Sequence, residues 1–211
     1  MKFNWLGKRP QPSAPASGEI REYFNLAARD DEHYPKEIDP RILHVRVLLE
    51  HLGDLTGKRA ADIGSGKGRF ARIVKDRNPG ASVVAIDLAE AMLSQVSARI
   101  ERCAADMTSL PIRTASMDAA WAIESLEHSI DVPRAVAEMA RVVKPGGRIA
   151  IIDKNVKHWG RLETAQWEQW FGRRELERLL KRHCRKVESR PISYWEDVAP
   201  DGLFLVWLAE K

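Results

Sequence analysis

The chain has 211 residues, of which 44% are hydrophobic and 30% charged, enough for one sizeable core and unlike a disordered polymer. No apolar run approaches the roughly 18 residues of a membrane span, and the first residues lack the apolar stretch and cleavage site of a secretory signal. Cys103 and Cys184 form neither a paired framework nor a metal-ligand spacing, so a reducing cytoplasm is the expected location. The net charge of +4 is uneven: from Lys154 to Arg190 there are eleven Lys or Arg against five Glu and no Asp. A basic segment can attract anionic partners, but a solvated helix face is the commoner reading.

Residues 1–18 carry Pro10, Pro12 and Pro15 among Ser, Ala and Gly, and read as a flexible tail in which Trp5 and Leu6 stand out. Residues 19–34 have Ile20, Tyr23, Phe24 and Ala27 at helical spacing, and Pro35 stops that helix. A second helix follows Pro40, with Ile42, Val45, Leu48, Leu49 and Leu52 on one face and Gly53 at its end. Residues 19–54 are thus a helical unit preceding the main domain, 55–211, and able to act as a lid over it.

From Lys58 onward, short apolar runs alternate with helical patterns. Strands are expected at 59–63, 82–87, 100–104, 117–123, 148–153, 186–192 and 203–209, and helices at 70–77, 89–99, 132–143 and 173–182. This alternation implies right-handed crossovers and a mostly parallel α/β sheet with helices on both faces. The last two strands lack a helix between them and read as an antiparallel hairpin. A further helical pattern covers 161–171, where Leu162, Ala165 and Trp170 share a face flanked by Trp167. Aromatic residues at such spacing usually pack in a core.

In open parallel sheets ligands bind beyond the carboxyl ends of the strands. The first strand runs into Asp62-Ile63-Gly64-Ser65-Gly66-Lys67-Gly68, a turn whose alternating glycines allow close approach to the backbone. The second ends at Asp87-Leu88, 25 positions after Asp62, where a carboxylate can accept bonds from a vicinal diol. The third ends at Asp106-Met107, suited to an adenine amine and its ring face, and the fourth runs into Ile123-Glu124-Ser125-Leu126-Glu127-His128. Any one such Asp is more often a helix cap. Four such strand-end features in order point to a nucleoside ligand.

These residues, with Arg141-Val142-Val143-Lys144-Pro145-Gly146-Gly147, resemble the class I S-adenosylmethionine-dependent methyltransferases, in particular the type 11 small-molecule group. The resemblance implies a Rossmann-like seven-stranded sheet with a reversed C-terminal hairpin. It also implies that Asp62, Gly64, Ser65 and Gly66 hold the methionine part of S-adenosylmethionine. Asp87 and Leu88 would hold the ribose, Asp106 and Met107 the adenine, and Ile123 would close the pocket.

Methyl transfer from a sulfonium needs alignment above all, and a base only for a hydroxyl or protonated-amine acceptor. His128 and Glu124 are the candidate bases. Tyr23, Lys154, Trp167 and Trp170 are the candidate acceptor contacts, favouring an aromatic or partly apolar small molecule. Glu124, Asp153 and Asn155 only loosely mimic the magnesium set of some catechol-type enzymes of this fold, and no metal is expected. The Asn/Asp-Pro-Pro-aromatic turn of amino-group base methylases is replaced by Ala122-Ile123-Glu124-Ser125. A nucleic acid is therefore the less favoured partner, though the basic segment keeps an RNA or protein acceptor, or a non-catalytic cofactor-binding module, as alternatives.

Overall fold

A computed structural model describes residues 17–211 of the chain. The proline-rich tail, Trp5 and Leu6 lie outside those residues, apart from Ser17 and Gly18. Seven strands form one sheet: β1 (Arg59–Ile63), β2 (Ser82–Asp87), β3 (Glu101–Ala104), β4 (Met117–Ile123), β5 (Val143–Lys154), β6 (Lys186–Ile192) and β7 (Phe204–Glu210). Their order is β3-β2-β1-β4-β5-β7-β6, with β7 antiparallel to both neighbours and the pairings among β1 to β5 parallel. The alternation read from the sequence and the reversed hairpin are both present.

The helices are α1 (Ser17–Ala27), α2 (Leu43–Leu52), α3 (Arg69–Arg77), α4 (Glu90–Leu93), α5 (Val132–Val142) and α6 (Arg173–Leu180). Side chains alternate faces along a strand, and here both faces are dry. In β4, Ala120 and Ala122 join the core under α5 and α6, while Ala119, Trp121 and Ile123 join the core under α2 and α3. β5 divides the same way, Ile149 and Ile151 against Ala150 and Ile152. Burial on both faces explains why these strands read as continuous apolar runs.

Four elements depart from the expected bounds. α1 ends at Ala27 rather than continuing to residue 34, because Asp30 Oδ1 accepts from the Glu32 and His33 amides, a side-chain turn that competes with the helix. α4 stops at Leu93, where the Ser94 hydroxyl bonds back to the Ala91 carbonyl. The segment 161–171 is not helical at all. Its amides and side chains are drawn outward to fixed partners, with Gln169 N donating to Glu127 O and Phe171 N to Lys154 O. Strand β5 begins early because Lys144-Pro145-Gly146-Gly147 loops out of an otherwise continuous register, Met117 pairing Val143 and Ala119 pairing Arg148.

α1 lies against α4 across the carboxyl end of the sheet. Asn25 Oδ1 accepts from Ala91 N at 2.9 Å, and Ala28, Ala89 and Met92 form a small apolar cluster with Phe24 and Tyr34. Lys67, in the glycine turn, fastens the chain just after α1: its ammonium lies 2.6 Å from Asp31 Oδ1 and 3.1 Å from the Asp30 carbonyl, with its side chain 1% exposed. Replacing Lys67 with Met keeps the buried stem and removes both bonds, costing roughly 1–2 kcal/mol of docking. Amide exchange over 17–34 should then accelerate about tenfold while β1 and β4 stay protected. Equal protection in the variant would show that the lysine does not hold the lid.

Candidate active site

A cavity of about 700 Å³ opens at the carboxyl ends of β1, β2 and β4, roofed by α1 and the chain to Pro35. One end is built from the glycine turn. Gly64 and Ser65 both donate to the Ile86 carbonyl, at 2.8 and 2.9 Å, and Gly66 donates to Asp87 Oδ2 at 2.7 Å. Gly64 has φ +69°, and a Cβ there would stand 2.4 Å from Ser125 Cβ, so only glycine fits. Gly66, at φ +52°, faces no atom within 4 Å of such a Cβ and lines the cavity, leaving backbone open to a ligand. The Ser65 hydroxyl is buried and has no partner among the described residues.

Asp62, Asp87, Leu88, Asp106, Met107 and Ile123 line this same end. Asp62 is buried and accepts from Ala71 N at 3.0 Å, and burial pushes its carboxyl up to about 7. Burial also raises Asp87, against the bonds it accepts from Ala89 and Gly66. Burial pushes Asp106 up too, but bonds from Thr108 and Ser17 outweigh it and hold that carboxyl below its ordinary range. Ser17 donates to Asp106 Oδ2 at 2.8 Å, so the first turn of α1 reaches the far end of the groove. These residues fit S-adenosylmethionine in kind: donors for a carboxylate, acceptors for a diol and an amine, and an orphaned hydroxyl.

The other end is a cluster of charges under aromatic rings. Lys154 Nζ lies 2.7 Å from both Glu127 Oε1 and Glu168 Oε1, with all three side chains largely buried, and 5.7 Å from the Trp170 ring. Asp153, fully buried, accepts from the Glu127 and Lys154 amides. Burial and the neighbouring carboxylates raise Glu127 well above its ordinary value, and burial raises Asp153 to about 6. For Lys154, burial opposes the charge, but the two carboxylates outweigh it and hold the ammonium charged. His128 Nε2 is 3.5 Å from Glu127 Oε1, its Nδ1 has no partner among the described residues, and burial pulls the imidazole down to about 4. Phe24 meets the His128 ring edge-on at 4.9 Å. Glu124 has φ +52°, unusual outside glycine, and pairs with Arg69 Nη2 at 3.3 Å.

The cavity brings together His128, Glu124, Tyr23 and Lys154 with the donor-end residues. Trp167 and Trp170 are not among the residues that line it. Trp170 is fully buried and donates to Glu168 Oε1 at 2.7 Å, and Trp167 packs on Tyr23 at 5.1 Å. Both lie behind the wall because 161–171 is extended, which turns Glu168 inward instead. Glu127, His128 and Glu168 offer ligand atoms within 4.8 Å of one another, yet the Lys154 ammonium already bonds both carboxylates. Of the magnesium-like set, Glu124 is engaged by Arg69, and Asn155 donates to Gly202 O. The basic residues of α6 and β6 lie outside the cavity lining, several in exposed pairs such as Lys186 with Glu188. Among the described residues no helix is long and apolar enough to cross a membrane.

Sequence reasoning missed Glu127, Glu168, Arg69 and Ser17. Glu127 stood beside the chosen His128 and could have been flagged as a second acid at a strand end. Glu168 lies in the segment that reads as a helix and does not form one.

A profile of the family described as "Methyltransferase domain" matches residues 61–151. The ubiquinone biosynthesis O-methyltransferase of Idiomarina loihiensis is 32% identical over 204 residues, 88% of this chain and 82% of that protein. An uncharacterized 37.1 kDa protein in transposon TN4556 of Streptomyces fradiae is 30% identical over 156 residues, and there the match spans 69% of this chain and 44% of the relative. Among solved structures, the [4+2]-cyclase SpnF superposes with a TM-score of 0.78 at 19% identity, covering 97% of this chain and 99% of the cyclase, a likeness of fold. With the strand-end acids, the glycine turn and the reversed hairpin in place, the chain belongs to the class I S-adenosylmethionine-dependent methyltransferases, in the type 11 group.

Proposed function

We propose that the chain transfers a methyl group from S-adenosylmethionine to the O, N or C atom of a small-molecule acceptor. The observation that carries this reading is the single cavity joining the Asp62–Gly66–Asp87–Asp106 groove to the His128–Glu127–Lys154 cluster. When bound, the cofactor supplies an electrophilic methyl on sulfur. The protein's part is to hold the two reactants in line, to exclude water and to manage one proton.

In this reading the Gly64–Gly66 turn and Asp62 take the amino-acid end of the cofactor, with Ser65 Oγ gaining the partner it lacks. Asp87 takes the ribose on lone pairs left over from its two amide bonds. Asp106 exchanges the Ser17 hydroxyl for the adenine amine, with Leu88 and Met107 on the ring faces and Ile123 closing the pocket. Tyr23 and the rest of the α1 face wall the acceptor. Of the two candidate bases, His128 is favoured over Glu124, because its Nδ1 is uncommitted and its ring neutral at pH 7, whereas Glu124 is tied to Arg69.

A shared fold does not by itself decide between transfer, another reaction and plain binding. Calorimetry with S-adenosylmethionine, S-adenosylhomocysteine and NAD separates these. The two sulfur ligands should bind, NAD should not, and Asp87→Ala should weaken both about tenfold or more. Tight NAD binding with neither sulfur ligand would sink the methyltransferase reading.

Labelled cofactor incubated with a metabolite extract should yield a labelled small molecule. His128→Asn should slow that labelling by roughly 10²–10⁴ with homocysteine-product affinity unchanged. Since the imidazole sits near 4, the acid limb of the rate should fall there instead of near 6.5. Labelling at the wild-type rate in the variant would remove His128 from the chemistry.

Asp62 adds a stability signature in the ligand-free protein. Its folded pKa of about 7 exceeds the ordinary 3.8, so the native state holds a proton the unfolded chain releases. Its contribution to stability should therefore be fully present below about pH 4 and lost as pH rises toward 7. Urea unfolding of Asp62→Asn should show that slope flattened.

A further inference from the structure

Building on the methyltransferase reading, we propose that the acceptor end of the cavity is a cation site, taking an acceptor whose head group is a protonated amine or alkylammonium. The charge inventory of that end carries the argument. Glu127 and Glu168 place two carboxylates on one ammonium, that of Lys154, and a third carboxyl, Asp153, is bound by the Glu127 and Lys154 amides beside them. Lys154 bonds the Oε1 atoms of Glu127 and Glu168. Glu127 lines the cavity, and its second oxygen is buried with no hydrogen-bond donor among the described residues, its neighbour there being the Asp153 carboxyl. A buried carboxylate oxygen without a donor is costly, so a donor-bearing ligand at that point removes a penalty the empty protein carries.

The walls above the carboxylates have the matching chemistry. Tyr23, Phe24, Tyr34 and the His128 ring all line the cavity and touch one another edge-on, Tyr23 to Phe24 at 5.2 Å and Phe24 to Tyr34 at 5.9 Å. Aromatic faces beside carboxylates are the usual surroundings of a bound ammonium. The chain already uses the same chemistry on itself, since Lys154 sits between two carboxylates and over the Trp170 ring. Ile130 and Leu162, both exposed at the cavity mouth, suit an apolar body attached to such a head group.

The site has a proton to give up. Glu127 is raised well above its ordinary value by burial, Asp153 and Glu168, and Asp153 is raised to about 6. Glu168 is held low by Lys154 despite burial, Lys154 stays charged, and His128, pulled down to about 4, stays neutral. Tyr34, raised by burial, also stays neutral. Burial and their mutual repulsion therefore hold the Glu127–Asp153 pair toward its protonated form. A cation beside Glu127 favours the anionic pair, so its binding releases up to one proton and weakens as pH falls.

The test uses choline and its neutral carbon isostere, 3,3-dimethylbutan-1-ol, titrated into the whole protein with and without S-adenosylhomocysteine, in buffers of different ionisation enthalpy. Choline should bind at millimolar concentration at least tenfold more tightly than the alcohol, release protons near neutral pH and weaken from pH 8 to pH 6. The alcohol should show no proton release and no pH dependence. Glu127→Gln should abolish the preference and the proton release, with its thermal melt and homocysteine-product binding confirming the fold. Phe24→Leu, which leaves the charges intact, should weaken choline about threefold. Equal binding of the two ligands, no detectable choline binding, or an undiminished preference in Glu127→Gln would overturn the cation site. If S-adenosylhomocysteine binds and choline is not preferred, only this inference fails. If choline is preferred and the sulfur ligands do not bind, the methyltransferase reading fails while the cation site stands.

Discussion

The charged end of the cavity depends on one ammonium. Lys154 ends strand β5 and places its charge between Glu127, from the turn after β4, and Glu168, from the extended segment beyond β5. Three stretches that share no secondary structure are thereby tied at a single point. Withdrawing two carboxylates and an amine from water is expensive, and attraction at 2.7 Å offsets that only while all partners are present. Loss of one partner from such a pair costs roughly 3–5 kcal/mol, mostly by stranding what is left. The extended course of 161–171 follows from this: a helix there could not deliver Glu168, Gln169 N and Phe171 N to their fixed partners together.

The donor half rests on backbone instead. Two amides converge on the Ile86 carbonyl and a third on Asp87, so the glycine turn is held by the end of the neighbouring strand. The turn is anchored through its own amides, the third of them on the Asp87 carboxylate. The strand and turn of the donor end were legible from spacing alone. Each element there is local in sequence: a strand, an acid, a turn.

The acceptor end was not legible in that way. Lys154 lies 27 positions from Glu127 and 14 from Glu168, and no periodicity links them. The sheet order, the seven strands and the reversed hairpin followed from alternation because apolar runs and turn residues encode them directly. Helix ends were less legible: Asp30 and Ser94 carry side chains that bond back to the backbone, a competition invisible to hydrophobic spacing. In 161–171 the spacing of Leu162, Ala165 and Trp170 matched a helix, but the burial that fixed Trp170 came from Lys154 and Glu168 rather than from a helical face.

The near-contact between Gly64 and Ser125 joins the two halves. A Cβ on residue 64 would overlap that of Ser125, whose hydroxyl bonds the Ile63 carbonyl, and the residue before Ser125 is Glu124 in its left-handed conformation. The floor of the donor groove and the start of the acceptor wall thus share one clearance of atomic width. Positions 64 and 125 are consequently not free to drift separately: bulk gained at one has to be surrendered at the other, and descendants of this sequence inherit the two as a single character.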